Sequence, residues 1–144
     1  MTREQLEHAI RAACDVSGDS ELWVFGSQAI LGEFPDAPVS LRASIEVDVQ
    51  PKNRPESSDA IDGALGELSQ FHQTHSFYVH GILIESAVIP QGWEYRAIPI
   101  RDPILTINST IDSCMILVFA NLMFPYIELQ LTPIHNSYYR LIHS

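Results

Sequence analysis

From Ser44 to Gln50 the chain alternates without a break. Ile45, Val47 and Val49 fall on one side, and Ser44, Glu46, Asp48 and Gln50 on the other. Successive side chains of a strand leave opposite faces, so this period of two predicts a half-buried β-strand. It also sets two carboxylates, Glu46 and Asp48, side by side on one face. Pro51 closes the strand, and Lys52 to Glu56 reads as a polar linker.

The residues on either side supply the rest of an α/β pattern. Thr2 and Gln5 have capping-box spacing, and Leu6, Ile10, Ala13 and Cys14 follow at helical intervals, which predicts an amphipathic helix over 3–15. Gly18-Asp19-Ser20 turns the chain into a short apolar strand, Leu22 to Phe25, that stops at Gly26. A helical reading resumes from Ser27 to Leu31 until Pro35 and Pro38 break it. Ser58 reads as the cap of a second long helix with Ile61, Leu65, Leu68 and Phe71 on one face, weakened by Gly63 and Gly66. Phe77 to His80 and Leu83 to Ile89 read as two strands joined around Gly81, with a further strand between Tyr95 and Ile100. Helices interleaved with short strands predict a small mixed sheet packed against helices, an α/β fold.

Composition narrows the function classes. With 144 residues, 46% apolar and 18% charged, the chain is long enough for one packed domain and too apolar for disorder. A formal charge of -10 argues against broad electrostatic attraction to nucleic acid or to an anionic membrane, though an acceptor RNA held by a local basic patch remains compatible. The polar start, Met-Thr-Arg-Glu-Gln, lacks the apolar region of a signal peptide. Met115 to Ile127 is interrupted by Asn121 and Pro125 and is too short for a bilayer, so no membrane partner is expected. Cys14 and Cys114 lie far apart with no partner motif, which suits a reducing cytoplasm better than a disulfide framework.

The segment 105–144 stands apart from the core at 1–104. It has only three charged side chains, Asp112, Glu128 and Arg140, and no glycine. A buried C-terminal helix or strand pair fits this composition, and so does a replaced or frameshifted terminus.

Phosphoryl and nucleotidyl transfer need a divalent cation to neutralise the triphosphate and a cradle to hold it in line with the acceptor. Mg²⁺ prefers oxygen ligands, typically one or two carboxylates plus the substrate's phosphates. Glu46 and Asp48 offer such a pair, and Gly26-Ser27, directly after a strand, offers a tight turn with backbone N–H groups and a hydroxyl. Alone, a Gly-Ser is a common loop and a Glu-x-Asp is a solvated strand face; their order, with a helix between, carries the reading.

Val24-Phe25-Gly26-Ser27-Gln28-Ala29-Ile30 followed by Leu41-Arg42-Ala43-Ser44-Ile45-Glu46-Val47-Asp48 resembles the signature of the nucleotidyltransferase superfamily. The version here is similar to an uncharacterised bacterial nucleotidyltransferase-like family related to AbiEii-type toxins. The resemblance spans roughly residues 3–102 and implies a polymerase-beta-like fold and transfer of a nucleoside monophosphate from an NTP to a hydroxyl. Implied roles are Mg²⁺ binding by Glu46 and Asp48 and triphosphate contact by Gly26 and Ser27. Arg42 and Ser44 lie in the same motif as further nucleotide-binding candidates, and Glu85 on a later strand corresponds to a third carboxylate, a base or second metal ligand. The resemblance also implies an unidentified acceptor (an RNA, a protein or a small molecule) and a cognate antitoxin as partner.

Two features depart from the family pattern. Glu46 stands where many active members have Asp, and the apolar tail supplies no obvious helical region for the nucleotide base or acceptor. A non-catalytic binding module on the same fold, or a truncated remnant, is therefore the rival reading. His72, His75 and His80 cluster in sequence but lack the spacing of a zinc site. Trp93, after Pro90-Gln91-Gly92, resembles the family's Pro-x-Gly-Trp turn and reads as a packing residue.

Overall fold

The structure is a computed structural model that describes residues 1–87, 89, 91–101 and 115–118. Helix α1 (Arg3–Ser17) begins as the capping-box spacing requires: the Thr2 hydroxyl accepts from the Gln5 N–H, and the Gln5 side chain accepts from the Thr2 N–H at 2.8 Å. It ends at Gly18, and its Leu6, Ala9, Ile10 and Ala13 are buried.

Strand β1 (Glu21–Phe25) leads through a 3-10 turn at Ser27–Ala29 into the short helix α2 (Ile30–Glu33). Strand β2 (Glu46–Pro51), helices α3 (Ser58–Leu65) and α4 (Gln70–His75) and strand β3 (Tyr78–Gly81) follow. Strands β4 (Ile98–Arg101) and β5 (Met115–Val118) complete a five-stranded sheet in the order β3-β2-β1-β5-β4. The pairs β1–β2 and β4–β5 are antiparallel, whereas β2–β3 and β1–β5 are parallel, so the sheet is mixed as expected. Strand β5 belongs to the segment beyond residue 104 and occupies an interior position between β1 and β4. The remainder of that segment lies outside the described residues.

Alternation along the strands divides the sheet into two faces. Leu22 and Val24 of β1, Val47 and Val49 of β2, and Val79 of β3 join Leu6, Ile10 and Ala13 of α1 and Ile61 and Leu65 of α3 in one apolar core. Each such large side chain withdrawn from water contributes roughly 1.5–3 kcal/mol. Trp23, Phe25, Glu46, Asp48, Tyr78 and His80 occupy the alternate positions and therefore leave the other face. There Trp93 packs edge-on against Trp23 and Phe25, with ring centroids 4.7 and 5.9 Å away. The expectation that Trp93 packs is met.

Four expectations are corrected. The long helix from Ser58 is two helices: Leu68 has a positive φ of 64° and is 78% exposed, and Ser69 caps α4 through His72 N–H. Ser57, not Ser58, holds the cap position of α3, and the Ser58 hydroxyl instead donates to the Ile82 carbonyl at 2.9 Å. The strand expected over 83–89 is replaced at Ile84–Ser86 by a 3-10 turn, where the Ile84 N–H donates to the buried Gln50 side chain at 2.6 Å; Val88 lies outside the described residues. Finally, Cys14 is disulfide-bonded, so the argument from unpaired thiols to a reducing compartment falls away. Among the described residues, no helix is long and apolar enough to cross a membrane.

Candidate metal centre

The site is assembled from three neighbouring strands. In the β1–β2 register Phe25 faces Asp48, so the turn that leaves β1 at Gly26 begins beside that carboxylate. In the β2–β3 register Glu46 faces Tyr78 and Asp48 faces His80. Because β2 and β3 run parallel with the same alternation, the pairs Glu46/Asp48 and Tyr78/His80 emerge together.

The imidazole of His80 lies between the two acids. Its Nδ1 is 3.0 Å from Glu46 Oε1 and 3.1 Å from Asp48 Oδ1. On the other side of the ring, Nε2 lies 3.9 Å from Oδ1 of Asp62 on α3. Gly81 permits this approach: a Cβ there would stand 2.0 Å from the Ser58 carbonyl oxygen, so only glycine lets α3 settle on β3. The Tyr78 hydroxyl donates to Glu46 Oε2 at 3.0 Å. Burial, and then that bond to an acceptor carboxylate, push the Tyr78 pKa up to about 12.

One ligand atom each from Glu46, Asp48 and His80 lies within 4.8 Å of the others, a group that could hold a metal ion. Asp48 carries the electrostatic cost of this arrangement. Burial raises its pKa, the neighbouring Glu46 charge raises it further, and His80 offsets only part of the rise. Two carboxylates crowded on one strand face in this way are poised to gain from a cation.

Gly26 completes the wall of the site. Its φ of 75° and ψ of -168° are a backbone conformation open essentially to glycine, and a Cβ there would stand 2.8 Å from Asp48 Oδ2. The absent side chain leaves a cradle directly over the carboxylate. Ser27 is exposed next to it, and its hydroxyl accepts from the amide of the buried Gln28 at 3.1 Å. That bond occupies a lone pair of the hydroxyl and leaves its proton available to an acceptor.

Arg42 and Ser44 serve the approach to β2. Arg42 Nε donates to the Ala37 carbonyl at 2.9 Å, and Ser44 Oγ accepts from the Glu46 N–H at 3.1 Å. The ammonium of Met1 donates to the carbonyls of Arg42 and Ser44, fixing the same loop from below. These contacts position Glu46. Glu85 sits exposed on the 3-10 turn and is not part of the three-residue group. The basis for expecting it at the site was a strand, and the chain there forms a turn instead.

His80 was missed as a site residue. The spacing of His72, His75 and His80 does not mark it, yet Tyr78-Val79-His80 repeats the polar-apolar-polar alternation of Glu46-Val47-Asp48. Matching those two triplets as neighbouring strands would have brought His80 to Asp48. The other two histidines stand elsewhere: His72 Nδ1 accepts from the Leu68 N–H, and His75 packs against His8 and Phe71.

A scan of protein-family models, a search of curated proteins and a search of solved structures each returned no match to this chain.

Proposed function

We propose that this chain is a metal-dependent nucleotidyltransferase of polymerase-beta-like fold that moves a nucleoside monophosphate from an NTP to a hydroxyl acceptor. The observation that carries the reading is the meeting of Gly26 with Asp48: the glycine turn and a carboxylate 22 residues later in sequence stand against each other. Glu46, Asp48 and His80 would hold the cation, Mg²⁺ in the simplest version, and its chemistry is to neutralise charge on the triphosphate. The Ser27 hydroxyl beside Gly26 would serve as a donor to phosphate oxygens. Arg42 and Ser44 act by holding the loop before β2. The resemblance to toxin-related nucleotidyltransferases motivates an acceptor such as RNA and a cognate antitoxin.

A specific observation favours a second reading, a nucleotide-binding module without turnover: Glu85 does not join the site as a third carboxylate. One assay separates the two. Labelled ATP, CTP, GTP and UTP are incubated with the protein, a divalent cation and total RNA, beside the Glu46→Ala/Asp48→Ala double variant. Label transfer or pyrophosphate release by the wild type alone supports the enzyme. Nucleotide binding without turnover selects the module, and folded protein that does neither removes both readings.

A further inference from the structure

Helix α4 has six residues, too few for a helix to hold in water without packing. Its two ends are strained. Leu68, just before it, has a φ of 64°, and Ser76, just after it, a φ of 62°. These are the two non-glycine residues of positive φ among the described residues, in a region that L side chains enter at a cost. Leu68 gains no burial in return. One face seats α4 on α1. Phe71 and His75 pack on His8 of α1 and on the buried Phe77, and the His8 and His75 rings stand edge-on with centroids 4.4 Å apart. We propose that this ring cluster is a pH-sensitive latch: protonation of His8 and His75 releases α4 from α1, with the turns at Leu68 and Ser76 as its hinges. The latch stands independently of the function proposed above.

Charge is what the cluster does not accommodate. Two imidazolium rings at that separation repel each other, and the phenyl rings around them supply no oxygen acceptor. Among the described residues neither imidazole has a carboxylate within ion-pair distance. On α1, Glu7 is paired with Arg3, and Glu4 and Asp15 are exposed to solvent screening; Asp59 and Asp62 of α3 and Glu67 before α4 are exposed as well. Burial lowers the pKa of His8, and His75 and Arg11 lower it further. The neutral ring therefore stabilises the closed latch above the ordinary value of 6.5, and that contribution is lost as pH falls through the native value. The third imidazole of this region, His72, accepts the Leu68 N–H on Nδ1 at 3.0 Å, a bond that needs a bare nitrogen lone pair. Neutral rings thus hold both the packed face and the strained turn before it. Release reaches β3 as well, because the His72 ring lies 4.8 Å from that of Tyr78, whose hydroxyl donates to Glu46.

The test is hydrogen exchange of the full chain, read by mass spectrometry and corrected for the chemical exchange rate at each pH. A ring that regains its ordinary pKa on release raises the opening constant by up to about tenfold per pH unit below that value. Protection over residues 68–77 is expected to fall at least about fivefold between about pH 7.5 and about pH 5, while β1 and β2 keep theirs. His8→Phe keeps a ring in the cluster and removes its charge, and His75→Gln removes the charge from the other side. Each variant, checked for fold by circular dichroism, should shrink the pH response, and the double variant should leave less than about twofold. Either single variant carries the test if the other does not fold. A flat wild-type profile would overturn the latch, as would a loss of protection spread equally over β1 and β2. So would a pH response that persists unchanged in the folded variants.

Discussion

Two aspartates of this protein, Asp19 in the turn before β1 and Asp48 on β2, are treated oppositely. Asp19 is 5% exposed and accepts the backbone N–H groups of Glu21, Asn53 and Arg54 and the side-chain amide of Asn53. Burial acts to raise its pKa, but those four bonds together outweigh it and the pKa is lowered. Asp48 is half-buried beside a second carboxylate, and its pKa is raised. One carboxylate ties the end of α1 to the segment after β2; the other is held at a cost the fold does not recover. A carboxylate raised by burial and by a neighbouring acid is one whose charge a bound cation would relieve.

The comparison breaks most easily at Asp19. Asp19→Ala removes a charged acceptor and leaves buried N–H groups unpaired, so stability in urea should fall by about 2–4 kcal/mol. The pH dependence has a definite sign. The native pKa lies below the unfolded one, so the contribution is present above the unfolded value and is lost as pH falls through the native value. Wild type and Asp19→Asn should therefore converge in stability as pH falls, and a difference that does not shrink with falling pH contradicts the assignment.

A smaller loss is expected at the turn. Gly26→Ala should cost about 1–3 kcal/mol, because L side chains rarely adopt this backbone conformation and the new methyl meets Asp48. Cation affinity, read by calorimetry, should fall with it. Unchanged stability and affinity would separate the turn from the carboxylates.

Asp48 should respond in the opposite direction, and least. Its native pKa is raised, so its ionisation opposes folding: the protonated form's stability is present below the unfolded pKa and is lost as pH rises through the native value. Asp48→Asn should raise the midpoint of thermal unfolding at pH 7 by about 2–4 °C, and this gain should vanish in acid. A lower midpoint at pH 7 would place Asp48 among the structural carboxylates with Asp19.

How much of this the sequence disclosed follows from the range of the interactions. Local signals read well: the Thr2/Gln5 cap starts α1, and the Ser44–Gln50 alternation became β2 with both acids on one face. Leu68 and Phe71 kept helical spacing, yet the chain turns at Gly66–Ser69, where a local break and the Ser69 cap override the pattern. Leu83 to Ile89 is apolar enough for a strand, but the Ile84 N–H is taken by the Gln50 side chain, a partner 34 residues away. His80 reaches the acids through the β2–β3 register, and Asp62 comes within 3.9 Å of His80 through the packing of α3; both depend on tertiary pairing and not on neighbours in sequence.

The most direct test of the whole account is thermal unfolding with and without a divalent cation, in wild type and in Glu46→Ala/Asp48→Ala. A ligand that binds only the native state at about 100 times its Kd adds about 2.7 kcal/mol. The account expects Mg²⁺ to raise the wild-type midpoint by several degrees and to leave the double variant unmoved, with that variant no less stable than wild type in the absence of cation. A cation with no effect on wild type, or with an equal effect on both proteins, would contradict the reading of Glu46 and Asp48 as a metal centre.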